Sequence, residues 1–312
     1  MNNKIKLKNQ NFISINSKCY PIHNDGGTCF TTYEISMSAI QYGFNTIVVI
    51  PNLIKDEKIN ITNLTIFKKN LLSYFLFLKE SFANKENIIY YNCAYNFHIV
   101  LALLVLIFFK FFNKKINARI IFSAHGSFDN NIVNNLYKKL WIKFIIKPFI
   151  KISKAEYLAN SVGEINNLIP QIKKLKDTKF SIAENKFPSF TFINEFNFSS
   201  IENKNSKTNN DKYILYLGRI VPKKRLIETI DFLSKNKWFD SGGFLVIAHT
   251  NDDNEYLQKV KTKIKQKSLF DRIKFEGKVV GPDKWKLILN ANGFILLSES
   301  EGLPMTLLEA DT

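Results

Sequence analysis

The chain has 312 residues, 46% of them hydrophobic and 14% aromatic, enough apolar material for two domains of ordinary size and too much for a disordered or fibrous polymer. Its 44 Lys and Arg against 27 Asp and Glu give a formal charge of +17, so its surface favours anionic partners: phosphorylated substrates, acidic lipid headgroups or nucleic acid. Cys19, Cys29 and Cys93 are odd in number and lack CxxC spacing, which argues against a disulfide framework and a structural zinc site and fits a reduced, cytoplasmic protein.

The N-terminal "MNNKIKLKNQNFISIN" has no apolar run of signal-peptide length. The first half then alternates short β-rich runs with helical ones. Phe12 to Asn16 is a predicted strand, "HNDGG" at 23–27 a loop, Thr28 to Tyr42 a helix ended by Gly43, and Asn45 to Pro51 the next strand, which makes a βαβ unit. "NIIYYN", "ARIIFSAHG", "AEYLAN" and "KFSIAEN" continue the pattern of buried parallel strands. Between the first two lies "FHIVLALLVLIFFKFF", from Phe97 to Phe112, which Lys110 interrupts; it is too short to span a bilayer and reads as a buried or surface-docked helix.

Leu136 to Lys154 reads as an amphipathic helix kinked or split at Pro148. Lys139, Lys143, Lys147 and Lys151 recur every four residues opposite Trp141, Phe144, Ile145 and Phe149. Such a helix suits either the flank of a sheet or an anionic membrane surface.

From Thr191 to Asp211 the periodicity fails, which predicts a linker at 191–211 between an N-terminal domain, 1–190, and a C-terminal domain, 212–312. After it "YILYLGRIV", "FLVIAHT", "IKFEGKV" and "GFILLS" are strands, with helices at Leu226 to Lys237, Asn254 to Lys267 and Lys284 to Asn290. The fold class is therefore α/β, with two doubly wound, Rossmann-like domains.

Two C-terminal elements could carry chemistry. "GFILLSESEGLPMTLLEA" puts Glu301 beyond a strand end and Gly302, Leu303 and Pro304 at a helix start, where free N–H groups attract a diphosphate; Glu309 follows within reach of a sugar or ribose hydroxyl. In "YLGRIVPKKRLIETI", Arg219 and Lys224 flank a strand-to-helix turn, where two cations could converge on one anion.

Together, Gly218-Arg219 followed by Lys224, and Glu301-x7-Glu309 within Ser-Glu-Gly-x-Pro, resemble the donor-site signature of the family 4 retaining glycosyltransferases, which have the GT-B fold. The resemblance extends forward to the glycine pair Gly26 and Gly27 and to His125-Gly126 at a strand end. It implies that Arg219 and Lys224 bind a diphosphate, Glu301 the sugar hydroxyls and Glu309 the ribose, and that the amides of Gly302 and Leu303 meet the sugar and phosphate. It further implies that the Gly26 and Gly27 loop faces donor phosphates and acceptor and that His125 positions the donor sugar. The donor would be a UDP-, GDP- or ADP-sugar, used without metal or other cofactor, and the acceptor a saccharide or lipid-linked saccharide. The setting would be bacterial surface polysaccharide synthesis in the cytoplasm or at the inner membrane face.

Ser161 and Glu164 match the family's Ser-x-x-Glu but are explained by a capping box and stay outside the expected site. Asn185 matches a Pro-Asn-Gly position whose neighbours, Glu184 and Lys186, differ; His249 and Asn251 replace expected glycines, and Asp252 and Asp253 read as a solvated loop. Base recognition is expected near Phe275 to Val279. In the family further elements follow Glu309, whereas only Ala310, Asp311 and Thr312 remain here, so a truncated C-terminal domain is expected. The alternatives are an inactive remnant and a GT-B enzyme acting on a soluble sugar metabolite. No nucleic-acid motif supports the third option that the charge allows.

Overall fold

The computed structural model describes residues 10–16, 27–49, 64–67, 71–92, 94–130, 133–184, 212–249, 253–279, 281–299, 301 and 304–311. Two compact units divide the chain at Lys186 and Phe187. The linker expected at 191–211 lies outside the described residues.

The first unit runs β1 (Asn11–Asn16), α1 (Gly27–Gln41), β2 (Asn45–Val49), β3 (Leu64–Phe67), α2 (Leu71–Ala83), β4 (Asn87–Asn92), α3 (Phe97–Phe111) and β5 (Arg119–Ser123). It continues through α4 (Leu136–Trp141), a π-helical segment (Ile142–Ile146), α5 (Lys147–Ser153), β6 (Glu156–Ala159), α6 (Val162–Asn166), α7 (Pro170–Lys173) and β7 (Phe180–Ile182). Its seven strands are parallel in the order β3-β2-β1-β4-β5-β6-β7.

Alternation along the strands divides the core between the faces of that sheet. Ile13, Ile15, Ile89, Tyr91, Ile120 and Phe122 pack with α3 and α5, while Phe12 and Tyr90 pack with Ala39 of α1 on the other face. Both faces are covered, so β1 and β4 read as nearly unbroken apolar runs. Asn96 caps α3 by accepting from the His98 N–H at 2.9 Å, and among the described residues no helix is long and apolar enough to cross a membrane.

The segment from Leu136 to Lys154 is divided before Pro148, where a kink or split was expected, and the division takes the form of a π segment. Pro148 has no N–H to offer the Phe144 carbonyl, and its ring crowds the turn before it. The chain widens there into a π segment, in which the Lys147 N–H donates to the Ile142 carbonyl. Ile142, Ile146, Phe149 and Ile150 are buried at the three- and four-residue spacing of one helix face, whereas Phe144, across the axis from them, is 58% exposed with the Lys143 ammonium 5.2 Å from its ring. The expectation that Phe144 sits opposite the lysines is therefore corrected: it shares their exposed side.

The second unit comprises β8 (Tyr213–Leu217), a 3-10 turn (Pro222–Lys224), α8 (Leu226–Lys235), β9 (Phe244–Ala248), α9 (Asn254–Gln266), β10 (Ile273–Gly277), α10 (Gly281–Leu289), β11 (Gly293–Phe294) and α11 (Met305–Ala310). Its parallel sheet has the order β10-β9-β8-β11. Tyr216, Leu245 and Ile247 face α8 and α9, and Leu215, Leu217 and Val246 face the Leu287 and Ile288 side of α10. Pairing of β11 stops at Phe294 although the apolar run continues to Leu297; the Ile295 N–H adds one more bond to the Leu215 carbonyl before the chain leaves the sheet.

Candidate active site

Each sheet reverses its strand order once, between β1 and β4 in the first unit and between β8 and β11 in the second. In open α/β sheets the crevice beyond the strand ends at such a reversal is where ligands bind. The residues that could carry chemistry gather at these two places.

In the first unit β1, β4 and β6 each end on or just before an asparagine, and Asn16, Asn92 and Asn160 are all buried. Thr32 of α1 donates to Asn16 Oδ1 and accepts from Asn92 Nδ2, both at 2.8 Å, and so spans the reversal. His125 lies beyond β5 in a turn closed by the Ser127 N–H on the Ala124 carbonyl at 3.0 Å. His125 and Gly126, the two central residues, have φ of +47° and +71°, the left-handed pair of a type I′ turn, in which a histidine carries a steric cost.

Partners on three sides hold that turn. Asn160 Nδ2 lies 2.7 Å from His125 Nδ1, and His125 Nε2 contacts Asn92 Oδ1. An amide donor at Nδ1 makes the ring the Nε2–H tautomer, which donates to Asn92. Burial pushes the His125 pKa down to about 4. Glu164 supplies the third side: its Oε1 accepts from the Gly126 N–H at 2.8 Å and its Oε2 from the Asn160 N–H at 2.9 Å. Burial first, and then the Glu164 charge, hold the Tyr157 phenol well above its ordinary pKa, so Tyr157 stays a donor to the same carboxylate at 3.4 Å.

The capping box expected at Ser161 is half formed. Ser161 Oγ accepts from the Glu164 N–H at 3.1 Å, but the carboxylate turns inward instead of returning to the cap. Glu164 is therefore a member of this cluster that the capping pattern concealed. Asn16, Asn92 and Asn160 carried a usable signal, since "FISIN", "NIIYYN" and "AEYLAN" all end in the same polar residue. Gly27 is the first residue of α1, and Gly26 lies outside the described residues.

The neutrality of His125 predicts a pH dependence. Unfolded histidine binds its proton below about pH 6.5, whereas the folded side chain resists until about 4. Between those values the unfolded state binds more protons, so stability rises with pH. The contribution is complete above pH 6.5 and is lost as pH falls to 4, a loss on the order of 3 kcal/mol. Burial also lowers the His98 pKa to about 4, so melting curves from pH 7 to 4.5 should show the summed decline, and His125→Gln should make it shallower while His98 keeps the rest.

In the second unit Arg219 is exposed just past β8, and the Tyr216 hydroxyl donates to its carbonyl at 2.9 Å. Lys224 ends the 3-10 turn, followed by the left-handed Arg225 at φ +51°. The segment after β11 is tied to that turn by the Glu299 N–H donating to the Lys223 carbonyl at 2.9 Å. This contact brings Glu301 onto Lys224 as a largely buried ion pair. The ammonium has three donors, so Lys224 can hold Glu301 and still meet an anion.

Glu309 is buried in α11 and its carboxylate accepts from Lys284 at 2.8 Å. Lys284 was not among the residues singled out in sequence. Gly302 and Leu303 lie outside the described residues, and Pro304 immediately precedes α11. Asp253 caps α9 by accepting from the Tyr256 N–H at 3.0 Å, and no cluster of His, Cys, Asp or Glu among the described residues could hold a metal ion. In the region expected to meet a base, β10 slips register between Phe275 and Gly277, where Gly277 has φ +66° and its carbonyl accepts from the His249 N–H at 2.8 Å.

Comparison with known proteins bears on the fold. Starch synthase IV of Arabidopsis thaliana, solved with ADP and acarbose, is 12% identical at a TM-score of 0.63, covering 96% of this chain and 80% of that one. HepE of Anabaena, solved with UDP and glucose, is 13% identical at 0.63, covering 94% and 75%. Sucrose-phosphate synthase of Thermosynechococcus elongatus is 12% identical at 0.64, covering 96% and 79%. No curated protein matches the sequence. Residues 197–312 match the family model described as glycosyl transferases group 1, and the chain as a whole has the fold of the GT-B glycosyltransferases.

Proposed function

We propose that the chain is a retaining glycosyltransferase that moves a sugar from a nucleotide-diphosphate sugar to a saccharide or lipid-linked acceptor. The observation that carries this reading is the Lys224–Glu301 pair at the strand reversal of the second unit, inside the region that matches the glycosyltransferase group 1 model. In this reading Lys224 and the exposed Arg219 neutralise the diphosphate as it leaves, the main electrostatic task of such a transfer. Glu301 takes the sugar hydroxyls, and the Gly302 and Leu303 amides meet sugar and phosphate. Glu309 takes the ribose by exchanging with Lys284.

The acceptor hydroxyl attacks on the leaving-group side, and the departing phosphate oxygen accepts its proton. The protein's own groups position the reactants and stabilise charge, and no resident cofactor or metal takes part. In the first unit, His125 and the α1 start at Gly27 serve donor and acceptor. Because both His125 ring nitrogens are engaged by asparagines, a sugar hydroxyl reaches the ring only by exchanging with one of them.

Surface polysaccharide synthesis at the cytoplasmic membrane face is the setting that this reading favours. A soluble sugar metabolite as acceptor is the second reading, supported by the structural likeness to sucrose-phosphate synthase. Thermal unfolding with UDP, GDP and ADP tests the donor site. A ligand at 100 times its dissociation constant adds about 2.7 kcal/mol, a rise of about 10 °C for a unit of this size. A cooperative transition that none of the three moves would count against the site.

A further inference from the structure

A second surface of the first unit is built from different chemistry. An open groove of about 640 Å³ lies between α3 on one side and the π segment with α5 on the other. Lys110 and Lys114 line it from the end of α3, and Lys143, Lys147 and Lys151 from the opposite wall. The floor is apolar, with Leu106, Pro148 and Ile152.

No acidic side chain lines the groove, and none of the five lysines forms an ion pair among the described residues. The excess is regional: from Asn87 to Ala155 the sequence has ten Lys and Arg and one acidic residue, Asp129, which is buried. Five ammonium groups round one groove repel one another until anions sit among them.

The rims say which anion. On the α3 side Leu104, Ile107 and Phe111 are exposed, Phe111 to 79%; on the other side so are Leu136, Tyr137, Leu140 and Phe144. Apolar edges of this extent beside uncompensated lysines are poorly suited to a small soluble anion. They suit a bilayer interface, where the ammoniums meet headgroup phosphates and the apolar side chains enter the acyl boundary. No described helix can cross a membrane, so the fit is to its surface. Since α3 and α5 lead into the starts of β5 and β6, the groove lies toward the opposite edge of the sheet from His125.

We propose that this face docks on an anionic phospholipid bilayer, with the lysine groove receiving headgroup phosphates. The proposal is independent of sugar transfer, because vesicle binding is measured without donor or acceptor. The full chain should sediment with phosphatidylcholine vesicles that contain phosphatidylglycerol, should release them as salt rises, and should ignore vesicles of phosphatidylcholine alone. Lys143→Gln with Lys147→Gln should lower the partition coefficient about 30-fold, from roughly 1 kcal/mol per lysine at the surface. Both lysines are exposed, so the melting temperature should not move. Lys261→Gln with Lys265→Gln in the second unit should leave binding unchanged. Equal binding to both vesicle types overturns the proposal. So does a folded groove variant that binds like wild type, or an equal loss from the second-unit variant.

Discussion

Glu301→Gln is expected to lower sugar transfer about 10²- to 10³-fold, the usual effect of removing one group that stabilises the transition state, while free nucleoside diphosphate binds as well as before or better. The two effects separate because Glu301 is the partner of Lys224. Taking away the carboxylate's charge releases the ammonium for phosphate oxygens and removes the group assigned to the sugar. Lys224→Ala should lose both turnover and nucleotide affinity. Steady-state kinetics with the donor that gives the largest thermal shift, together with titration of its free nucleotide, distinguishes the pair. Near-normal turnover in Glu301→Gln would refute the assignment, and weaker nucleotide binding in that variant would refute the proposed competition between carboxylate and phosphate.

Glu164→Ala should destabilise the first unit by roughly 3–9 kcal/mol. The change strands the Gly126 N–H, the Asn160 N–H and the Tyr157 hydroxyl in a buried site, and each unsatisfied donor costs about 1–3 kcal/mol. For a unit of this size that corresponds to a fall of order 10 °C in Tm. Glu164→Gln should fall less, because the amide oxygen keeps one acceptor while its NH2 faces an N–H. Calorimetry checks both. An alanine variant that melts within a degree of wild type would show that the carboxylate does not anchor the His125 turn.

Much of the architecture was legible before any coordinates. Buried parallel strands carry apolar runs on both faces, which made β1, β4 and β5 readable, and Gly43 at φ +88° ends α1 where a left-handed residue was expected. Pro148 was readable as a break. The π turn before it was not, because one widened turn has no residue signature. Phe144 is exposed because it falls two residues from each of the buried Ile142 and Ile146, across the helix axis from both.

The candidate sites divide the same way. Arg219, Lys224, Glu301 and Glu309 stand out by residue type and local spacing. Their partners do not: Lys224 and Glu301 are 77 residues apart, and Lys284 lies 25 before Glu309. Glu164 had a sufficient local explanation as a cap, and only the folded chain turns its carboxylate toward Gly126, 38 residues earlier.

By itself the sequence determined most of the strands and helices, though not β3 or α2, where the chain turns, and how much positive charge it carries, since these follow from patterns a few residues long. Strand order, the two reversals that gather the candidate residues, the tautomer of His125 and the meeting of five lysines across one groove were decided only by the tertiary structure. Each depends on contacts between segments far apart in the chain, and such contacts are chosen by the packing of whole elements, which no local pattern records.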